Sequence, residues 1–193
     1  SSTVYLNLGP QQRSAEEIFR LAELLPHLRE IRMGGTALGL KDLEALAARL
    51  PEVLLLQDVA FDDRSISTDS EEIDLSGLSL TVPEVEDMMV CFPKATRYIL
   101  CGCGIDDETM DALNRKYEDI RFVWSVRIKN VDVRTDTKWF YPFKYYREMT
   151  VNEEDLYPLR YCTDIEALDI GHMGDVKTCQ WLRYMPNMKY LIL

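Results

Sequence analysis

Apolar residues recur along much of the chain in a pattern that joins a short strand to an amphipathic helix. One complete copy lies between Phe92 and Tyr117. The strand part of this copy has the form L-x-L-x-x-(N/C)-x-L, and its residues are Tyr98, Leu100, Cys103 and Ile105. Met110, Leu113 and Tyr117 then follow at helical spacing. The pattern predicts a strand, a turn and a helix in each copy.

A Leu-Pro or similar dipeptide precedes the strands at a regular interval. Pro26 and Pro51 are 25 residues apart, since 51 minus 26 is 25. The strand pair Ile73 and Leu75 implies a marker at position 68, and 93 minus 68 is again 25. An interval of roughly 20 to 29 residues is typical of leucine-rich repeats, whose units stack because no single unit can bury its apolar stripe.

We therefore expect an α/β leucine-rich repeat solenoid, with parallel strands on the concave side, helices on the convex side and an inserted β-hairpin segment. Residues 1–193 would form a single domain. Regular repeats would occupy 1–125, with one short unit at 51–68. An inserted hairpin and aromatic segment would follow at 126–160, and returning, truncated repeats at 161–193. The expected inner column comprises Leu6, Leu8, Ile31, Met33, Ile73, Leu75, Tyr98, Leu100, Leu168 and Ile170.

Local signals place several elements. Ser14-x-x-Glu17 is a capping box and predicts a helix that starts there. Val82-Pro83 predicts the start of another helix, because Pro is tolerated in the first turn. The polar stretch DVAFDDRSISTDSEE has no helical stripe, and we expect a loop in place of the helix of that repeat.

The stretch IRFVWSVRIKNVDVRTDTKWF predicts a pair of strands with a turn near Lys129 and Asn130. Its register is ambiguous, because the spacing of the repeat would place the bulky face of Phe122 and Trp124 outward. Either the strand slips by one residue or the inserted hairpin covers these aromatic side chains.

The segment from Ile120 to Leu193 resembles a group of bacterial leucine-rich repeat proteins, most of them secreted or on the cell surface, which pair FVWSVRIKNVDVRTD with a later LDIGH repeat. The resemblance implies an architecture similar to that of internalins, a binding role and an extracellular or cell-surface location, with the cytoplasm as the alternative. The usual ladder of Asn residues is missing, which predicts looser or wider turns. The corresponding slots hold Gln11, Thr36, Phe61, Leu78, Cys103 and Met173.

Composition limits the partners. The chain has 33 acidic and 22 basic side chains, a net charge of -11, which repels a phosphate backbone and argues against a nucleic-acid partner. The sequence contains no run of 18 apolar residues, so it predicts no membrane span. We expect a monomer whose partner is an unknown protein or surface ligand.

The sequence contains no recognisable catalytic constellation. His27 and His172 should be several repeats apart, and Asp106 and Asp107 begin a helix, where capping explains them. We expect Cys103 to be a buried, reduced residue in a turn slot rather than a metal ligand. The predictions are therefore no enzyme, no catalytic residue, no metal and no cofactor, with a hydrolase as the least favoured alternative.

Two surfaces are candidates for partner binding. The first is the concave sheet, whose outward positions are Glu30, Arg32, Leu55, Gln57, Glu72, Asp74, Arg97, Ile99, Phe122 and Trp124. The second is the segment 127–147, which has six basic against two acidic residues, a net charge of +4. The predicted binding residues are Lys138, Trp139, Tyr141, Lys144, Tyr145, Arg97, Phe122 and Trp124. Two alternatives are that the aromatic residues form a small core of their own and that the chain is a spacer in a longer anchored surface protein.

Overall fold

A computed structural model describes residues 4–141, 151–171 and 176–193. The fold is mixed α/β, with several short parallel and antiparallel sheets. The chain divides into two compact units. Unit 1 comprises the residues up to Leu75 together with Leu80–Tyr98, and unit 2 comprises Ser76–Ser79 and the residues from Ile99 onward. No helix among the described residues has the length and apolar content needed to cross a membrane.

The helices that follow Ser14, Thr81 and Asp106 begin where the local signals predict. The helices are α1 (Ala15–Glu23), α2 (Leu40–Arg49), α3 (Val82–Met89), α4 (Asp107–Lys116) and α5 (Glu153–Leu156), with 3₁₀ turns at Tyr157–Tyr161 and Gln180–Tyr184. The capping box at the start of α1 is confirmed, since the Glu17 N–H donates to Ser14 Oγ and the Ser14 N–H donates to Glu17 Oε2.

The strands are short. In unit 1 they are β1 (Val4–Asn7), β2 (Leu28–Arg32), β3 (Leu54–Leu56), β4 (Asp58–Phe61), β5 (Arg64–Ser67) and β6 (Glu72–Asp74). The next strand, β7 (Arg97–Ile99), crosses the boundary between the units. In unit 2 they are β8 (Arg121–Val123), β9 (Ser125–Ile128), β10 (Val131–Arg134), β11 (Trp139–Phe140), β12 (Ala167–Asp169) and β13 (Tyr190–Ile192).

Unit 1 contains a parallel sheet in the order β1-β2-β3. Its register aligns Leu6 with Ile31 and Ile31 with Leu55. Leu55 is buried, whereas Leu56 is only partly so. The expectation that Leu55 faces outward is therefore wrong, because the third strand is one residue out of step with the 25-residue interval and turns its other face to the core.

The expected loop of the short unit is also wrong, because this stretch forms the antiparallel hairpin β4–β5. Thr68, directly after the hairpin, is fully buried. Its hydroxyl donates to the Leu55 carbonyl oxygen (2.6 Å) and accepts from the Gln57 N–H (3.1 Å). Both partners lie at the junction of β3 and β4, so the Thr68 side chain ties the end of the hairpin to its beginning.

Unit 2 repeats this arrangement with the hairpin β9–β10, whose turn at Lys129 and Asn130 agrees with the prediction. Thr135 follows the hairpin and is fully buried. Its hydroxyl accepts from the Trp124 N–H (3.2 Å), and its own N–H donates to the Trp124 carbonyl oxygen (2.8 Å). The rest of unit 2 includes a parallel sheet in the order β11-β12-β13.

Two successive stretches of the chain have the same order of elements. Residues 4–70 and 71–137 each contain strand, helix, strand, helix, strand and hairpin. The helix N-caps Ser14 and Thr81 are 67 residues apart (81 minus 14), and Thr68 and Thr135 are also 67 apart (135 minus 68). We refer to these stretches as the first and second copies.

The core agrees with most of the predicted column. Leu8, Ile31, Met33, Ile73, Leu75, Tyr98, Leu100, Leu168 and Ile170 are buried, and Leu6 is partly exposed. Each helix adds a stripe of its own, such as Leu43 and Leu46 of α2 and Met110 and Leu113 of α4. Spacing of three and four residues puts such side chains on one face of a helix.

Candidate functional site

The parallel sheet of β11, β12 and β13 has one apolar face that remains open to solvent. Successive side chains of a strand point to opposite faces, and Phe140 and Leu168 are buried on the inner side. The outer face therefore carries the alternate positions. We define the outer face as Trp139, Tyr141, Ala167, Asp169, Tyr190 and Ile192.

The centre of the outer face is a groove between two aromatic side chains. The register aligns Trp139 with Ala167 and Ala167 with Tyr190. Trp139 is 65% exposed and Tyr190 is 71% exposed. Because neighbouring strands lie ~4.8 Å apart, the two aromatic residues stand ~10 Å apart over the small side chain of Ala167. The groove has a volume of about 250 Å³ and also includes Tyr141, Asp169 and Ile192 in its lining.

Charged residues precede the three strands at one end of the groove. Glu166 forms an ion pair with Lys189, with 2.6 Å between Nζ and Oε2. The hydrogen bond from Lys189, together with the charges of Lys189 and Lys138, lowers the pKa of the Glu166 carboxyl. Lys138 is exposed and makes no ion pair within the described residues. This end of the groove therefore carries one uncompensated positive charge.

The predicted basic patch is smaller than the sequence suggests. Arg127 pairs with Asp132 at 2.7 Å, and Lys129 pairs with Asp155 at 2.9 Å. Arg134 makes two hydrogen bonds to Asp136, of 2.9 and 2.8 Å. These carboxylates neutralise three of the four described basic residues in the segment 127–147. The expectation of a broad basic patch is corrected to Lys138 alone among the described residues.

Trp139 and Tyr141 also form a ridge between two grooves. A second groove, of about 230 Å³, lies on the other side of them. Its further lining residues are Asp132, Val133, Arg134, Thr137 and Phe140. The Trp139 backbone is held at this point, because the Thr137 hydroxyl donates to its carbonyl oxygen (3.2 Å). An aromatic side chain on a restrained backbone loses little conformational freedom on binding.

The prediction that Phe122 and Trp124 face a partner is wrong, because both side chains are buried. The Trp124 Nε1–H donates to Asp107 Oδ1 (2.9 Å), and its ring packs against Tyr161 with centroids 5.6 Å apart. Phe122 packs against Tyr117 with centroids 6.0 Å apart. These aromatic side chains belong to the core of unit 2, where they cannot contact a partner.

The remaining predicted residues have different surroundings. Arg97 lies beside Glu72, with 2.8 Å between Nε and Oε2, and this ion pair occupies its guanidinium. Ile99 is buried, so its predicted outward position is also wrong. Lys144 and Tyr145 lie outside the described residues. Of the predicted binding residues, the structure brings Lys138, Trp139 and Tyr141 together.

The acidic residues and cysteines that the sequence offered as candidates for chemistry are caps or buried residues in the structure. Asp106 caps α4 by accepting from the Thr109 N–H (2.9 Å), which lowers the pKa of its carboxyl. Burial raises the pKa of the Asp107 carboxyl. Cys103 is buried, as predicted, and burial raises the pKa of the Cys162 thiol to about 12. Within the described ranges, no group of three or more His, Cys, Asp and Glu residues is placed to hold a metal ion.

Sequence reasoning missed four of the six residues of the outer face, namely Ala167, Asp169, Tyr190 and Ile192. Tyr190 and Ile192 flank Leu191 in the last strand. The alternation of the strand puts both of them on one face, and the pairing of β13 with β12 and of β12 with β11 is what brings that face beside Trp139 and Tyr141. Comparison of the chain with known protein families, with curated proteins and with solved structures gave no match.

Proposed function

We propose that the chain is a non-enzymatic binding module that recognises another protein through the outer face. The observation that carries the proposal is the pair Trp139 and Tyr190, both largely exposed, on either side of the groove over Ala167. Exposed apolar clusters of this kind mark interaction sites, and aromatic side chains dominate binding energy in protein interfaces.

The charges around the groove favour a partner that presents a carboxylate. Lys138 makes no ion pair among the described residues, whereas Lys189 is already bound to Glu166. A carboxylate placed beside an aromatic or aliphatic side chain would meet Lys138 at the end of the groove while its apolar neighbour enters between Trp139 and Tyr190. Such complementarity contributes to specificity and to the association rate.

The proposed architecture is a leucine-rich repeat solenoid. Three observations support it: buried residues at the column positions, parallel pairing in two sheets, and helices that alternate with the strands. Thr36 adds a fourth, because its buried hydroxyl donates to the Gln11 carbonyl oxygen and accepts from the Arg13 N–H, both at 3.1 Å. It thereby links one turn to the preceding one, as the missing Asn ladder would.

Selection from a random peptide library tests this proposal. The immobilised protein and the immobilised Trp139→Ala/Tyr190→Ala variant are panned separately against displayed peptides, and peptides that bind the support alone are removed. We expect enrichment of sequences with Asp or Glu next to an aromatic or aliphatic residue. If the same peptides are recovered from the variant, or if no sequence is enriched, the outer face is not a recognition site.

A further inference from the structure

The two copies of the repeat differ sharply where the third strand meets the hairpin. Gln57 occupies this position in the first copy and Trp124 in the second, and 124 minus 57 is 67. Both side chains reach toward the start of the preceding helix. Gln57 Nε2 donates to the Leu38 carbonyl oxygen (2.9 Å) and its Oε1 accepts from the Leu38 N–H (3.2 Å), while Trp124 donates to Asp107.

In the second copy, apolar side chains fill the space beside this junction. Trp124 is buried, and so are its neighbours Ile99 and Val123. At the corresponding positions the first copy has Gln57, Arg32 and Leu56, 67 residues earlier in each case. The first copy therefore has an amide in place of the Trp124 indole and a guanidinium in place of the Ile99 side chain, while Leu56, which corresponds to Val123, is only partly buried. The junction of the third strand and the hairpin is thus packed with apolar side chains in the second copy and left open in the first.

The open junction of the first copy is a groove of about 530 Å³ in unit 1. Its size is within the range of roughly 300 to 1,000 Å³ that is typical of ligand sites. The lining residues are Arg32, Gly34, Thr36, Ala37, Leu56, Gln57, Asp58, Ser67 and Asp69. The two hydrogen bonds to the Leu38 backbone restrain the Gln57 side chain at the wall of the groove.

The electrostatic character of the groove is negative. Arg32 is bound to Glu30, with 2.8 Å between Nε and Oε1, so its charge is compensated. The Asp69 carboxylate accepts from the Ser67 hydroxyl (2.8 Å) and lies 4.0 Å from Lys94 Nζ. The Asp58 carboxylate makes no hydrogen bond or ion pair with the rest of the described chain. A ligand that enters the groove therefore meets an unpaired carboxylate.

We propose that this groove binds a basic side chain, Arg or Lys, of an extended polypeptide. Its ammonium or guanidinium group would lie between Asp58 and Asp69, and its aliphatic stem would contact Leu56 and Ala37. The groove differs from the outer face in both its unit and its charge. A ligand of the groove can therefore be tested without a partner on the outer face, and the reverse also holds.

The test uses small probes and residue-resolved amide spectra of the whole protein. N-acetyl-arginine amide and N-acetyl-lysine amide are titrated, and neutral N-acetyl-citrulline amide serves as the matched probe. We expect saturable shifts at the Gly34 amide and the Gln57 side-chain amide with both charged probes. Equal shifts with the citrulline probe, or shifts elsewhere only, would overturn the proposal.

Two substitutions locate the interaction. Asp58→Asn removes one charge without changing the shape, and we expect the Kd to rise at least about tenfold, the loss of one charge-assisted hydrogen bond. Asp63→Asn removes the same charge at the tip of the same hairpin, outside the groove, and should leave the Kd unchanged. Gln57→Trp places the Trp of the second copy at this position and should abolish the shift at the Gly34 amide. Equal Kd values for Asp58→Asn and Asp63→Asn would refute the assignment.

Discussion

The buried hydroxyl of Thr68 offers a direct test of how the repeat is held together. Thr68→Val keeps the branched shape of the side chain but removes the hydroxyl that bridges the Leu55 carbonyl oxygen and the Gln57 N–H. Both backbone groups would remain at the junction of β3 and the hairpin. The side chain at position 68 is fully buried, so water cannot replace the lost partner without local opening.

The expected cost follows from those two hydrogen bonds. A typical intramolecular hydrogen bond contributes about 1 kcal/mol, and a buried backbone group left without a partner costs about 1 to 3 kcal/mol. Since the bond to the Leu55 carbonyl oxygen is short, at 2.6 Å, we expect the larger share of the loss there. Thr68→Val should lower the free energy of unfolding by roughly 2 to 4 kcal/mol.

Urea unfolding followed by circular dichroism measures this change. Thr96→Val is the matched control, because Thr96 is exposed and its hydroxyl makes no hydrogen bond within the described residues. Thr135→Val should also lower the stability, since the Thr135 hydroxyl accepts from the Trp124 N–H at the equivalent position of the second copy. If Thr68→Val and Thr96→Val differ by less than about 0.5 kcal/mol, the buried hydroxyl does not hold the hairpin.

Two further predictions concern stability. Leu100→Ala should cost roughly 2 to 5 kcal/mol, because the Leu100 side chain is buried. A urea midpoint no lower than that of the exposed-site variant Leu24→Ala would contradict this. Burial raises the pKa of the Asp107 carboxyl above its unfolded value, near 3.8. The protonated carboxyl therefore contributes to stability below pH 3.8, and this contribution is lost as the pH rises through the higher pKa of the folded state. At pH 7, Asp107→Asn should therefore be at least as stable as the unmodified protein, since its Oδ1 can still accept from Trp124, and a lower melting temperature would contradict the sign.

The helices and most of the column could be predicted from the sequence because their signals are local. Ser14 with Glu17, and Val82 with Pro83, mark the first turns of α1 and α3. Spacing of three and four residues then identifies the buried stripe of each helix. These features depend on short-range geometry, which a single sequence displays directly.

The register of the third strand in each copy could not be predicted in this way. The 25-residue interval placed Leu56 inward, whereas the hairpin that follows turns Leu55 inward instead. A sequence repeat longer than 25 residues would have shown the change of register in the third strand. The intervals of 25, 25 and 17 residues together make 67, and Thr68-Asp69 recurs as Thr135-Asp136 after that distance.

The candidate site was only partly predictable for a similar reason. Lys138, Trp139 and Tyr141 stand out by composition, but Trp124 does too, and it is the burial of its side chain and its hydrogen bond to Asp107 that show it belongs to the core. The pairing of Trp139 with Tyr190 through Ala167 joins residues far apart in the chain. Sequence alternation alone does not give that register.

Recognition of a partner by the outer face is tested by a calorimetric titration of an enriched acidic-aromatic peptide into the whole protein and two variants. The Trp139→Ala/Tyr190→Ala variant should raise the Kd at least about 100-fold, since each interface anchor contributes roughly 2 kcal/mol or more. Tyr5→Ala removes an equally exposed aromatic side chain from β1, 63% exposed, and should leave the Kd unchanged. A Kd that is the same for the unmodified protein and the double variant would contradict the proposal that the outer face recognises a partner.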